Sequence, residues 1–405
     1  MLHGGDIYGS DGRKINNILD FSANISPLGM PEKVWQAVIT SMEAATHYPD
    51  PDSRALRLAL VEKYNDFFRA NEKKTFYNSE YKNEFPTNEK NLNHNFSNNK
   101  EKLENFLCGN GAADLIYRLI YAVRPKCALV IHPTFVEYEE AMAVVGTEIV
   151  SYDLNHKDFE IHEDILEKIT DTTDMIFICN PNNPTGVLTK RSLLAKILDK
   201  AKTHNCLLVI DECFLDFTGQ AREAEYTMLP YLKGYDNLLI LKSFTKMFAM
   251  PGIRLGYAIS GSRALLEKMK HAGQSWPVST MATVAGIAAL AEKNYVQQVV
   301  TYVDTEREYL QSVLNDCGIK WVAGHANYIL FYAPQFPHLE RELAKYDIRI
   351  RTCDNYKNLD ANWYRIAVNG HEANMKLAAA LRCIATEVVK AKTPIIMKNR
   401  EEEQP

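Results

Sequence analysis

Apolar positions along the chain change period several times, and the changes mark its elements. Pro31 to Ala45 and residues 52–64 repeat their apolar side chains at helical spacing, the first with proline at its start. From residue 106 onward, short continuous apolar runs alternate with amphipathic stretches. Cys127–His132, Glu148–Tyr152, Asp174–Asn180, Cys206–Asp211, Leu238–Lys242 and Gly256–Ile259 read as strands. Runs without polar alternation belong to strands buried on both faces, so the pattern predicts a mostly parallel sheet covered by helices, an α/β fold. The final third, from about Val296, mixes a long helix, short strands at Ala326–Phe331, Ile348–Arg351 and Trp363–Ala367, and a closing helix Ala373–Val388.

Between about residues 65 and 105 the apolar period disappears into Asn, Lys, Glu, Ser and Tyr. Such a stretch buries too little apolar surface to offset its ordering entropy, and reads as a disordered surface insertion. The chain then divides into an N-terminal arm (1–45), a large domain (46–295), a smaller C-terminal domain (296–389) and a frayed tail (390–405). At 405 residues it is long enough for two domains around a cleft.

Net charge is −5 with 46% apolar residues, which provides no electrostatic case for nucleic acid or an anionic membrane. The eight cysteines show neither Cys-x-x-Cys nor metal spacing, and four fall in or beside apolar runs as small hydrophobes. That pattern suits a reducing compartment without structural zinc, and with no signal segment or membrane-length run it points to the cytoplasm.

The chemistry gathers at strand ends, where open α/β sheets bind ligands. Lys246 stands in Ser243-Phe-Thr-Lys-Met-Phe-Ala-Met-Pro-Gly-Ile-Arg-Leu-Gly-Tyr257, on a turn just after a buried strand. An amine there suits a Schiff base with the aldehyde of pyridoxal phosphate (PLP), with Ser243, Thr245 and Arg254 holding the phosphate. Asp211 ends another apolar strand, where its carboxylate can pair with a protonated pyridine nitrogen. Asn183 follows a third strand in Asn-Pro-Thr-Gly and can bond the ring oxygen. In Cys108-Gly-Asn-Gly-Ala-Ala-Asp, the N–H groups of Gly111, Ala112 and Ala113 open a helix and can cradle a phosphate. Each feature alone has a plain structural explanation, as a cap or a turn; the ordered set points to one cofactor.

Asn-Pro-Thr-Gly, Asp-Glu-x-Phe and Ser-x-Thr-Lys-x-x-x-x-Pro-Gly-x-Arg-x-Gly-Tyr, in this order, resemble the fold-type I PLP enzymes of the class I/II aminotransferase group. Within it the chain resembles the L-threonine O-3-phosphate decarboxylases, through His3-Gly-Gly5, Leu19–Gly29, His47-Tyr-Pro-Asp50, Ile350–Tyr356 and Trp363–Ala367. The histidinol-phosphate aminotransferases share the general pattern. The resemblance implies a small phosphorylated amino-acid substrate and a homodimer in which Tyr48 reaches the neighbouring subunit's cofactor phosphate. It also implies that Phe135 stacks on the ring, that Arg351 and Arg365 meet the substrate's acidic groups, and that His3 and Asn24 close over it. Arg349, two residues before Arg351, would share the phosphate if both lie on one strand. Phe214 stands where aminotransferases of the group commonly carry a tyrosine, so the hydroxyl to the ring oxygen is missing. A decarboxylase reading follows if both arginines serve the phosphate and leave the carboxylate free.

Overall fold

The structure is a computed structural model describing residues 4–15, 17–65 and 102–401, with side chains described as far as residue 388. The expected insertion thus lies outside the described residues except at its edges. Its strands are β1 (Leu19–Asp20), β2 (Phe106–Gly109), β3 (Cys127–His132), β4 (Glu148–Asp153), β5 (Met175–Cys179), β6 (Leu207–Asp211), β7 (Leu238–Ser243) and β8 (Gly256–Ser260). The C-terminal third adds β9 (Lys320–Trp321), β10 (Tyr328–Tyr332), β11 (Ile348–Arg349), β12 (Arg351–Thr352) and β13 (Trp363–Ala367).

Seven strands form one sheet in the order β2-β8-β7-β6-β5-β3-β4. Its centre is parallel, and β8 runs antiparallel to both β7 and β2. Helices cover both faces, which explains why the central strands lack polar alternation. Ala128, Val130, Phe177 and Val209 pack with Leu115 and Leu119 of the helix Gly111–Val123 on one side. Leu129, Ile176, Leu208 and Ile240 pack with Leu194 and Ile197 of the helix Arg191–Thr203 on the other. The six strands read from the apolar runs are present within a residue or so. The seventh, β2, escaped the reading because its four residues adjoin the polar insertion and merge into the glycine turn.

A second sheet, antiparallel and ordered β12-β13-β10-β9, comes from the C-terminal third. β1 of the N-terminal arm pairs in parallel with β11, tying the arm to the C-terminal third.

Two expectations need correction here. Ile348–Arg351 is not one strand: the chain breaks pairing at Ile350, so β11 joins β1 while β12 joins β13. Arg349 and Arg351 therefore belong to different ladders. The closing helix runs His371–Glu401, beyond the end expected at Val388. Beyond Val388, Lys390, Ala391, Lys392, Met397, Lys398, Arg400 and Glu401 are good helix formers, whereas Pro394 supplies no N–H to the helix. Residues 402–405 lie outside the described residues.

Candidate active site

The strand-end residues converge on one cavity of about 220 Å³, walled by Lys246, Asp211, Asn183, Phe135, Phe214, Ser243, Thr245, Arg254, Ala112 and Ala113. Asn24, Arg351 and Arg365 enter from the arm and the second sheet, together with Gly4, Ser22 and Tyr356. A larger cleft of about 1000 Å³ lies elsewhere, around Phe159, Trp363 and Lys196, and contains none of the predicted site residues.

Lys246 is half-buried on the turn that follows β7, and its carbonyl accepts the Ser26 N–H at 2.9 Å, which lays the arm over the lysine turn. Enclosure in the cavity lowers its amine from the usual 10.5 to about 8, and the cations of Arg365 and Arg254 push the same way. Cys213 and Asp211 oppose them.

Asp211 closes the floor. It is buried, and its carboxylate accepts from Tyr138 Oη at 2.7 Å and the Cys213 N–H at 2.9 Å. Both bonds hold the carboxylate in one orientation at the end of β6. Tyr138 escaped sequence reasoning because it lies 73 residues from its partner. Asn183 Oδ1 accepts from Arg365 Nη1, so the amide presents its Nδ2 donor elsewhere.

At the far end the helix Gly111–Val123 begins with Gly111 at φ 85°, where a Cβ would stand 2.5 Å from Arg254 Nη2. Only glycine leaves that helix start open beside the guanidinium. Arg254 itself is held at φ 59°, a left-handed conformation that costs a non-glycine residue energy and recurs at functional sites. Ser243 Oγ accepts from the Thr245 N–H at 3.1 Å, which fixes the turn between them.

Arg351 and Arg365 are directly opposite each other on β12 and β13, and both are buried. Arg365 Nη2 donates to the Ser22 carbonyl at 2.9 Å and Nη1 reaches Tyr356 Oη at 3.4 Å, while Nε has no partner. Asn24 is buried with an orphaned Oδ1. Arg349 is absent from the walls of the Lys246 cavity; it lines a separate hollow with Ile18 and Asp347, which Arg351 also borders. His3 lies outside the described residues. Tyr48 is 80% exposed and stacks on Trp276 at 4.4 Å, away from this chain's cavity.

The sequence pattern described as "Aminotransferase class I and II" matches residues 16–381. The chain belongs to that family. It is 32% identical to the threonine-phosphate decarboxylase of Salmonella typhimurium over 96% of this chain and 98% of that one. It is 28% identical to a histidinol-phosphate aminotransferase of Clostridium novyi, over 93% of each. The structure of the histidinol-phosphate aminotransferase from Clostridium acetobutylicum superposes with a TM-score of 0.77 at 27% identity, covering 91% of this chain and all of that one. The protein is thus a PLP-dependent enzyme of the aminotransferase fold. Its cavity fits that cofactor, with an amine of lowered proton affinity, a fixed buried carboxylate, and a glycine-opened helix start beside an arginine. Among the described residues no helix is long and apolar enough to cross a membrane.

Proposed function

We propose that the protein decarboxylates L-threonine O-3-phosphate to (R)-1-amino-2-propanol O-2-phosphate, the aminopropanol linker of cobalamin. The charge of the cavity wall carries this reading. Among the described residues of the wall, four cations (Lys246, Arg254, Arg351, Arg365) face a single carboxylate, Asp211. With Arg254 beside the helix start for one phosphate, the cross-strand pair Arg351 and Arg365 is left for a second dianion. Two buried guanidiniums side by side repel each other, and a phosphate bound between them would remove that cost.

PLP, when bound, accepts the electron pair released as a bond at the substrate's Cα breaks. The residues decide which bond. Asp211 would keep the ring nitrogen protonated, Asn183 Nδ2 would bond the ring oxygen without help from Phe214, and Phe135 would cover one ring face. Ser243, Thr245, Arg254 and the N–H groups of Gly111, Ala112 and Ala113 would hold the cofactor phosphate. Arg351 and Arg365 would take the substrate phosphate, with His3 and Asn24 closing over it, so that no guanidinium is left to pin the carboxylate. Lys246, with its lowered proton affinity, or a nearby water would then return a proton to Cα.

A second reading, histidinol-phosphate aminotransferase, draws on the 28% identity and the 0.77 superposition. The deciding experiment supplies holoenzyme with O-phospho-L-threonine and follows CO2 and 2-oxo acid, with and without 2-oxoglutarate. CO2 release without an amino acceptor is expected. Acceptor-dependent oxo acid without CO2 overturns the decarboxylase reading. O-Phospho-L-serine, one methyl shorter, is expected to react too, since a methyl discriminates by only ~1–3 kcal/mol.

We also infer a homodimer, supported by Tyr48 standing exposed outside its own cavity, where it can serve a neighbouring copy. The division into an arm (1–45), a large domain (46–295) and a small domain (296–389) belongs to the same proposal. So does a cytoplasmic location, which eight free cysteines favour.

A further inference from the structure

The connection between β12 and β13 faces two ways. On one side it holds the arginines. Arg351 Nη2 donates to Asn355 Oδ1 at 2.7 Å, its guanidinium lies 5.4 Å from the Tyr356 ring centre, and Tyr356 Oη meets Arg365 Nη1. On the other side it grips the seven-stranded sheet. Asn358 Nδ2 donates to the Leu154 carbonyl at 2.8 Å and to the His132 carbonyl at 3.3 Å. The Asn358 carbonyl accepts from His156 Nε2 at 2.7 Å. His132 ends β3, and Leu154 directly follows β4.

Asn358 sits at φ 65°, a conformation that asparagine tolerates better than most residues. Lys357 adds a 2.5 Å ion pair to Glu139, but the lysine is 58% exposed, and exposed pairs contribute little. The hydrogen bonds of Asn358 are the firmer tie, because strand-end carbonyls are held by the sheet and a half-buried amide must find partners.

We propose that Asn358 is a positioning residue that fastens the Asn355–Asn358 segment to the ends of β3 and β4, and so sets where Arg351 and Arg365 stand relative to Lys246. This rests on the reading of those arginines as the grip on the substrate phosphate. Without the tie, the guanidiniums must be ordered when substrate binds, which weakens the grip on phosphate. The residues that would hold the cofactor phosphate and its ring nitrogen lie on other elements and keep their places.

Two substitutions separate the amide from the backbone. Asn358→Gly keeps the left-handed conformation and loses the side chain. Asn358→Asp keeps the side chain's outline and loses its N–H donors. Purified holoenzymes are compared for KM and kcat with O-phospho-L-threonine, for inhibition by inorganic phosphate, for retained PLP and for Tm. Both variants are expected to raise KM and the phosphate inhibition constant about tenfold, with kcat within about twofold and PLP retention unchanged. A wild-type phosphate inhibition constant in either folded variant overturns the proposal. Loss of PLP from both also overturns it, since Asn358 would then be a general structural tie. If wild-type enzyme ignores O-phospho-L-threonine, the functional reading fails, and the inorganic phosphate constant still reports on Asn358.

Discussion

Stripped of cofactor, the protein presents the Lys246 amine at about 8 instead of 10.5, through enclosure first and then the Arg365 and Arg254 charges. Only the neutral amine attacks an aldehyde. At about pH 7.5 roughly a quarter of such amines are neutral, against ~0.1% for an ordinary lysine. PLP capture by the apoenzyme should therefore begin with about 200 times more reactive amine than an exposed lysine provides. Its rate should climb with pH to a plateau, half-maximal near 8. Stopped-flow absorbance of PLP mixed with apoenzyme across the pH range measures this directly. A half-maximum at or above about 10, the ordinary lysine range, refutes the claim that the cavity activates the amine. Stability must follow the same displacement. Below pH 8 both folded and unfolded chains carry the proton, and the fold bears the full penalty of the enclosed charge; the penalty fades as pH rises from 8 towards 10.5. Lys246→Met should then stabilise the apoenzyme at neutral pH by up to about 3 kcal/mol, with the gain disappearing near pH 10.5, as urea unfolding at several pH values would show.

Two further substitutions probe the phosphate end and the core. Gly111→Ala places a Cβ 2.5 Å from Arg254 Nη2 at a φ of 85°, so PLP affinity should fall by about tenfold while pyridoxal, which lacks the phosphate, binds as before. Equilibrium dialysis of both vitamers checks it, and equal losses would place the damage elsewhere. Lys242 is buried among Glu223 at 2.8 Å, Asp216 at 3.2 Å and Glu212 at 3.4 Å. Lys242→Met strands those carboxylates and should cost about 3–5 kcal/mol in urea unfolding, since breaking a buried pair leaves uncompensated charge.

Lys246, Asp211 and Asn183 were legible because each follows an apolar run whose end the local sequence marks. The chemistry of such a strand end depends on a handful of neighbouring residues. The glycine turn at Gly111 was legible for the same reason, since its backbone needs are local. The strand expected over Ile348–Arg351 misled because a period of two assumes unbroken pairing, and the break at Ile350 depends on which partner each half finds: β1 for one, β13 for the other. Tyr138 gives no sign of holding Asp211.

The chain's own order of apolar runs, turns and ionisable groups determined the α/β class, the cofactor and the lysine that would carry it. All of these rest on short-range periodicity and on residue chemistry. Tertiary structure alone decided that Arg365, 343 residues from Ser22, donates to its carbonyl, that Arg351 stands opposite Arg365, and that Asn358 joins the two sheets. Those pairings arise when distant segments bury their surfaces together, and residue spacing along the chain carries no information about that choice.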